Sequence, residues 1–452
     1  MKKLEPVPEV EKSLLGIFGQ IFRESFTELS STGDKAFISD YLKENPELEK
    51  AILKIEREYY YWDKVKYQVQ KKEQGEKLWG IIKDLRQFNY KTVSFTTIKF
   101  NLNLTNYLQQ KLHEFDRNFG DVLANTPLST EQDRRQYLLN AIFEESITSS
   151  QIEGAVTTRL VAKDMLQKNR SPQNHSERMI VNNYQAIRYI VAHKKDKLTL
   201  ENLLELHETI TANTLEKAED EGQLRISDDV NVVDMIDGEI VHIPPKAEIL
   251  GDFITELLAF FNDEGDSFFI HPIVKASIVH FMIGYFHPFV DGNGRTARAL
   301  FYWYMLRQGY WLTEYLSISS IILDSREQYY RAFRYTEADE NDLTYFVSYQ
   351  VKTLEKAYLV FIEYLKRTVA EKRKWIDYQK DKTVNHRQSQ ILAWAHENPN
   401  VVFTVKEIER RLAVNNQTAR TDLMGLVEKG LLEKIQANKK EQHFISLRPS
   451  PS

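Results

Sequence analysis

Two glycines, at positions 292 and 294, interrupt a long apolar stretch of this 452-residue chain. Residues 272–286 before them have the pattern of an apolar helix, and residues 293–307 after them have the pattern of a further helix, so the sequence predicts two helices joined at the glycines. Glycine lets backbone N–H groups converge on one point, and the second helix adds the positive end of its dipole. The pattern therefore predicts a helical fold with an anion-binding turn between two helices.

Charged residues around this turn indicate phosphate chemistry. Arg295 and Arg298 share one face of the second helix, and two cations at a helix N-terminus are unfavourable unless an anion lies nearby. Asp291 can hold Mg²⁺ beside a di- or triphosphate, and His287 can deprotonate an attacking hydroxyl. Taken singly, His287 could cap a helix and the arginines could form surface ion pairs. The complete set in one short segment favours phosphoryl-type transfer.

This segment closely resembles the signature of the Fic family, HPFx-[D/E]-G-N-[G/K]-R-x-x-R. Every fixed position of the signature is met in the run His287-Pro288-Phe289-Val290-Asp291-Gly292-Asn293-Gly294-Arg295-Thr296-Ala297-Arg298. The resemblance implies a helical domain that transfers AMP from Mg-ATP to a Ser, Thr or Tyr hydroxyl of a target protein, or of the chain itself. It makes His287 the base and Asp291 the Mg²⁺ ligand.

The resemblance also implies a set of ATP contacts. They are Gly292, Asn293, Gly294, Arg295, Thr296, Ala297, Arg298, Tyr329 and Tyr330. The two tyrosines would lie near the adenine, although a core aromatic is an equally good interpretation of either.

A carboxylate far upstream is predicted to control the site. Glu153 lies near the end of a helix that stops at Gly154, within about 20° of the buried residues Ile142 and Ser146 at 100° per residue. A carboxylate there is disfavoured by the helix dipole and by burial, so it needs a cation, best an arginine. The run from Ser149 to Gly154 matches the Fic inhibitory motif [S/T]-x-x-x-E-[G/N]. The resemblance implies that Glu153, with Ser149, occupies Arg298 and keeps the enzyme inhibited.

Residues 225–243 alternate between apolar and polar, which predicts a β-hairpin turning at Asp237-Gly238. The resemblance implies that this segment, hereafter the flap, aligns the target protein beside the active site. The alternative is a hairpin that has only a structural role.

The chain is predicted to be mainly α and to end in a second module. We expect a helical N-terminal region (1–120), a Fic domain with its inhibitory helix (121–345), a helical linker (346–384) and a winged helix-turn-helix (385–452). In this last module Asn416, Gln417, Arg420 and Thr421 are predicted to face outward. Because acidic residues nearly balance basic ones there, contact with DNA and contact with a protein are both open.

Composition narrows the remaining alternatives. The formal net charge is −5 and there is no cysteine, signal peptide or membrane-length apolar run, which predicts a soluble cytoplasmic protein with no membrane contact. Two other functions use the same fold: an ATP-sensing winged-helix transcription regulator and a de-AMPylase. His287 and Asp291 argue against the regulator, since a sensor needs neither a base nor a metal carboxylate.

Overall fold

The structure is a computed structural model. It describes residues 4–8, 46–69, 72–121, 131–233, 238–265, 267–380, 384–397, 401–436 and 442–446. The chain forms two compact units, Met1–Ile362 and Glu363–Ser452. Helices dominate, so the prediction of a mainly helical fold is confirmed. Within the ranges just given, no helix is both long and apolar enough to cross a lipid bilayer.

Aromatic side chains organise the first part of the first unit. Trp62 and Trp79 are buried together, with 6.2 Å between their ring centroids. The guanidinium of Arg86 lies 3.7 Å from the ring centroid of Tyr59 and donates a hydrogen bond to the hydroxyl of Tyr345. The elements here are α1 (Pro46–Glu58), α2 (Trp62–Val65), α3 (Lys72–Asn89), β1 (Lys91–Phe95), β2 (Ile98–Leu102) and α4 (Asn106–Asp121), with β1 and β2 antiparallel.

The rest of the first unit is mainly helical and contains two central helices that pack against each other. The elements are α5 (Glu131–Ile152), α6 (Arg159–Gln167), α7 (His175–His193), α8 (Leu200–Thr211), β3 (Val232–Val233), β4 (Ile240–His242), α9 (Leu250–Phe261), α10 (Pro272–Phe286), α11 (Asn293–Arg307), α12 (Ile318–Asp324), α13 (Arg326–Ala338) and α14 (Thr344–Lys380), whose residues from Glu363 onward belong to the second unit. Helices α10 and α11 pack against each other, and every side chain of α10 from Ile273 to Ile283 is buried. A helix that is buried on all sides lies in the core of its domain, and the glycine turn follows directly after α10.

The flap contains much less strand than the alternating pattern predicts. Strands β3 and β4 are antiparallel, with Val232 opposite His242 and an irregularity before Val233. The residues before β3 do not pair because their side chains bind backbone instead: the Ser227 hydroxyl accepts from the Asp229 N–H at 3.1 Å. Of the predicted turn, Gly238 has a φ of +72°, whereas Asp237 lies outside the described residues.

The second unit combines helices with a three-stranded sheet. Its elements are α15 (His386–Glu397), β5 (Val402–Thr404), α16 (Val405–Leu412), α17 (Asn416–Glu428), β6 (Leu432–Gln436) and β7 (Gln442–Ser446). The strand order is β5-β7-β6, and a buried core that includes Ile408 and Phe444 lies against the sheet. The side chain of Asn415 caps α17, accepting from the Thr418 N–H at 2.8 Å. The predicted outward face of α17 is exposed, but its assignment to a winged helix stays a prediction.

Candidate functional site

The loop at residues 287–292 joins α10 to α11 and begins on an unusual backbone conformation. His287 ends α10 with φ 48° and ψ 58°, in the left-handed region, which costs about 1–2 kcal/mol for a residue other than glycine. Gly292, with φ 81°, leads into α11. A Cβ on Gly292 would lie 2.8 Å from the Thr211 side chain, so only glycine fits there. The strain at His287 must therefore be offset by contacts elsewhere in the loop.

Asn293 supplies two of those contacts. Its side-chain oxygen accepts from the Phe289 N–H at 2.9 Å, and its side-chain nitrogen donates to the Phe289 carbonyl at 2.8 Å. The Phe289 ring is fully buried. Both polar atoms of the Asn293 side chain are therefore used to shape the loop, and the predicted contact with ATP falls to its backbone N–H in the first turn of α11.

His207, which no sequence pattern indicates as a site residue, fixes the other side of the loop. Its ring stacks on Phe289 with 3.7 Å between centroids. The Gly222 N–H donates to Nδ1 at 3.1 Å, so Nε2 carries the proton and donates to the Asp291 carbonyl at 2.9 Å. Burial lowers the pKa of His207 to about 4, which keeps the ring neutral at pH 7. The available sequence signal was its position on the buried stripe of α8, beside Leu206.

His287 is placed as a neutral base. Its Nδ1 lies 3.2 Å from the Gly284 carbonyl, which can only accept, so Nδ1 carries the proton and Nε2 keeps its lone pair. Nε2 has no partner in the part of the chain that the structure describes. Burial, as the largest cause, lowers the pKa of His287 to about 4. At neutral pH the side chain can therefore accept a proton.

The flap contacts this loop through Arg225, a second residue that sequence reasoning missed. Its Nε donates to the His287 carbonyl at 2.8 Å, and its backbone N–H donates to the Pro288 carbonyl at 2.9 Å. Nη1 donates to the Ser227 carbonyl at 2.8 Å, and Nη2 donates to the Pro245 carbonyl. Arg225 is buried, so one guanidinium joins both ends of the flap to the loop.

Arg295 and Asp291 lie at the open end of α11. Arg295 is buried and donates from Nη1 to the Ile210 carbonyl at 2.9 Å. Its Nη2 is 3.5 Å from Oδ2 of Asp291, whose side chain is 59% exposed. Among the described residues, none accepts a hydrogen bond from Nε of Arg295. A buried arginine that is left with an unused donor is suited to a ligand anion.

Arg298 is bound by the residues that the inhibitory motif names. Its Nε donates to the Ser149 hydroxyl at 2.8 Å and its Nη2 donates to the Ser149 carbonyl at 3.0 Å. Nη2 also donates to Oε1 of Glu153 at 2.9 Å. Arg298 is 1% exposed and Glu153 is 29% exposed. The other terminal nitrogen, Nη1, is buried with no acceptor within the described ranges.

Glu153 lies directly over the glycine turn. A Cβ built on Gly294 would fall 2.2 Å from Oε1 of Glu153 and 2.9 Å from its Cδ. No side chain larger than hydrogen fits at position 294 while Glu153 is in place. The carboxylate therefore occupies the space beside the backbone N–H groups that begin α11, where an anion is expected to bind.

The remaining predicted contacts lie deeper. The side chains of Thr296 and Ala297 are buried in the core, so a contact with ATP would use their backbone. Tyr329 is also buried, and its hydroxyl lies 2.9 Å from Nε2 of His280. Tyr330 is half-buried, 5.4 Å from the Tyr329 ring, and is the better placed of the two for a ligand. Their proximity to adenine stays a prediction.

A divalent cation would have one protein carboxylate at this site. Within the described ranges, no group of three or more His, Asp or Glu side chains could hold a metal ion. Mg²⁺ at nucleotide sites takes one or two carboxylates and completes its shell with phosphate oxygens and water. The exposed carboxylate of Asp291, at the open end of α11, fits that requirement.

Residues 197–305 match the family model described as Fic/DOC family. The chain is similar to protein adenylyltransferase fic-1 of Caenorhabditis elegans, with 24% identity over 263 residues that cover 57% of this chain and 47% of that protein. It is also similar to protein adenylyltransferase Fic of Nematostella vectensis, with 28% identity over 261 residues that cover 55% of each. The chain thus spans about half the length of these curated relatives.

Among solved structures, a Fic family protein from Desulfovibrio desulfuricans G20 is 19% identical with a TM-score of 0.48, covering 75% of this chain and 97% of that chain. The family match at residues 197–305 includes His207, Arg225, the loop at residues 287–292 and both arginines of α11. It therefore falls on the residues that form the site. The chain contains a Fic domain.

Proposed function

We propose that the chain is an autoinhibited protein adenylyltransferase, which transfers AMP from Mg-ATP to a Ser, Thr or Tyr hydroxyl of a target protein or of itself. One observation carries the proposal. Two fully buried arginines at the start of α11 keep donors without an acceptor among the described residues, and the neutral base His287 stands at the other end of the same loop. The names of the similar curated proteins support it.

The transfer uses the residues of the site as follows. Nε2 of His287 takes the proton of the target hydroxyl, and the hydroxyl oxygen attacks the α-phosphorus of ATP. The bond from the α-phosphorus to the oxygen that bridges to the β-phosphate breaks, and diphosphate leaves with that electron pair. Negative charge on the phosphates is stabilised by the N–H groups around Gly292 and Gly294 and by Arg295. Bound Mg²⁺, with Asp291 as a ligand, would neutralise further phosphate charge.

Glu153 accounts for the inhibition. Its carboxylate holds Arg298 at 2.9 Å and fills the space beside Gly294, so a triphosphate meets a negative charge and finds one arginine occupied. Ser149 holds the same guanidinium through two further hydrogen bonds. ATP then binds without the full set of phosphate contacts, and we expect low activity from the unmodified chain.

The test is transfer of label from α-³²P-ATP to protein, with intact-mass detection of added AMP. Glu153→Gly should raise the rate about tenfold or more, because freeing one charge-assisted contact to the transition state is worth about 1.5–3 kcal/mol. Glu153→Gln, which keeps the shape but not the charge, should fall between. Glu144→Gln is the matched control: Glu144 lies on α5, the helix that ends just before Glu153, and pairs with the exposed Arg159 at 2.7 Å.

His287→Ala in the Glu153→Gly background should abolish the label. Transfer that persists without His287 would remove the base from the proposal. A Glu153→Gly chain no faster than the Glu144→Gln control would remove the inhibition. Loss of AMP from an already modified target, with no gain on any protein, would instead indicate the reverse reaction on the same fold.

A further inference from the structure

His242, the last residue of β4, lies between two helices of the Fic domain. Its Nδ1 lies 2.7 Å from Oε2 of Glu337 on α13. Its Nε2 lies 2.7 Å from the carbonyl oxygen of Tyr285 in the last turn of α10. The side chain is 10% exposed. Both ring nitrogens are thus within hydrogen-bond distance of an oxygen.

Those two contacts define the protonation state of the ring. A carbonyl oxygen and an ionised carboxylate can accept hydrogen bonds but cannot donate them, so both nitrogens of His242 must carry protons. A neutral ring would set a lone pair against one of the two oxygens. Burial by itself lowers the pKa of His242, but the hydrogen bond and charge of Glu337 outweigh it and raise the pKa above its usual range.

The flap supplies cations to successive carbonyls at the end of α10. His242 binds the carbonyl of Tyr285, and Arg225 binds those of Phe286 at 3.4 Å and His287 at 2.8 Å. The last carbonyls of a helix have no partner within it and carry the negative end of the dipole. Two cations from the flap therefore hold the backbone that sets the position of His287.

We propose that His242, as an imidazolium ion, is a positioning residue for AMP transfer: it fastens β4 to the Tyr285 carbonyl, two residues before His287. The inference rests on the proposed function, because His287 is the base of that reaction. His242 touches neither ATP nor the hydroxyl. Its charge has a second consequence, since it adds to burial in lowering the pKa of His287. The same ion thus favours both the position and the neutral state of the base.

The groups around His242 fix the sign of its pH dependence. Glu337 faces it from α13, Tyr285 from α10, and His287 with Arg225 lies beyond Tyr285. Because the pKa of His242 is raised, both contacts are intact at and below the usual pKa of histidine, and one of them is lost as the pH rises through the raised pKa, since a neutral ring carries a single N–H. His287 must be neutral, so activity is lost on the acid side only near pH 4. We expect a bell-shaped profile whose alkaline limb belongs to His242.

Glu337→Gln separates this role from simple packing. The glutamine amide can donate to Nδ1 of a neutral His242, whose Nε2–H then still donates to the Tyr285 carbonyl. The contact to Tyr285 no longer requires protonation. In the Glu153→Gly background, Glu337→Gln should therefore keep kcat at neutral pH and lose the alkaline limb. If His242 had only a structural role, Glu337→Gln would not change the pH profile of kcat in this way.

His242→Ala removes both contacts. In the same background it should lower kcat about tenfold, as expected for a lost charge-assisted hydrogen bond, with little change in the KM for ATP. His113→Ala, at an exposed residue of α4, is the matched control and should leave the profile unchanged. An unchanged kcat in His242→Ala, or an alkaline limb that stays in place in Glu337→Gln, overturns the proposal.

A direct readout keeps this inference separate from the proposed function. In the full chain with ¹⁵N-labelled histidine, NMR at a pH just below the usual pKa of histidine should show protons on both ring nitrogens of His242, and one of them should be lost in Glu337→Gln. If the Glu153→Gly chain transfers no AMP, the proposed function fails while this measurement still tests the charge. A neutral His242 ring in the parent chain overturns the inference even where AMP transfer is seen.

Discussion

The loop at residues 287–292 and the flap at residues 225–243 contact each other, yet buried contacts fix them to different degrees. In the loop, the backbone of Phe289 is bound at both polar atoms by Asn293, and the Asp291 carbonyl is bound by His207. In the flap, strands of two and three residues pair across an irregularity. Its cations Arg225 and His242 are directed at the loop and at α10.

The flap and the loop also differ in how much apolar surface their side chains expose. Those with a large exposed apolar surface are Ile226, Val233, Ile240 and Ile243. The loop holds the Phe289 ring fully buried and exposes Val290 at 42%. Reaction geometry needs atoms held within a fraction of an ångström, whereas a surface that meets different protein segments must adapt. We infer that the loop sets the chemistry and that the flap meets the target.

Removing the hydrogen bonds that hold the loop should reduce AMP transfer by the largest factor. Asn293→Ala removes both hydrogen bonds that hold Phe289 and leaves two buried backbone groups unpaired, at a cost of about 1–3 kcal/mol each. In the Glu153→Gly background we expect AMP transfer to fall at least about 100-fold, since a displacement of about 1 Å at the reacting groups costs that much. Asn293→Asp should be similarly poor, because a second oxygen would face the Phe289 carbonyl. Rates are measured beside thermal unfolding, and near-parental transfer by either variant contradicts the assignment.

Weakening the Arg225 contacts that connect the flap to the loop should reduce AMP transfer by a smaller factor. Arg225→Lys keeps the charge but cannot bind the carbonyls of His287, Ser227 and Pro245 together. We expect about tenfold slower transfer and a free energy of unfolding lowered by about 1–3 kcal/mol. Arg331→Lys is the control, because Arg331 forms an exposed pair with Glu327 one turn away and should change stability by less than about 0.5 kcal/mol. Equal behaviour of the two variants would show that Arg225 does not join flap and loop.

The difference between loop and flap also explains what the sequence could predict. The base, the glycines and the arginines fall within twelve consecutive residues, so local spacing alone brings them to one helix terminus. Glu153 is predicted from two signals: a carboxylate at the end of a buried helix face needs a cation, and the run from Ser149 to Gly154 resembles the Fic inhibitory motif, which implies Arg298 as that cation. Its contact with Arg298 is present in the structure, at 2.9 Å, whereas its regulatory role stays a proposal.

His207, Arg225 and His242 were missed because only the tertiary fold brings the first two to the loop and His242 to the end of α10. His207 lies 84 residues before Asp291, and Arg225 lies 62 residues before His287. Nothing in the residues around them indicates which carbonyl each would bind. The hairpin was predicted too long for a related reason. Ser227 and Asp228 turn their side chains to nearby backbone, and an alternating pattern does not reveal that competition.

Changing the exposed part of the flap should affect the target and little else. Ile226 is 97% exposed, next to the buried Arg225, so Ile226→Ser should change the free energy of unfolding by less than about 0.5 kcal/mol. In the Glu153→Gly background the KM for ATP should stay constant, while the KM for a protein target rises about threefold to tenfold, the effect of one apolar side chain in an interface. Leu53→Ser, at an exposed residue of α1, is the control. If both variants leave the KM for the target unchanged, the apolar flap does not contact the target, and recognition must come from another part of the chain.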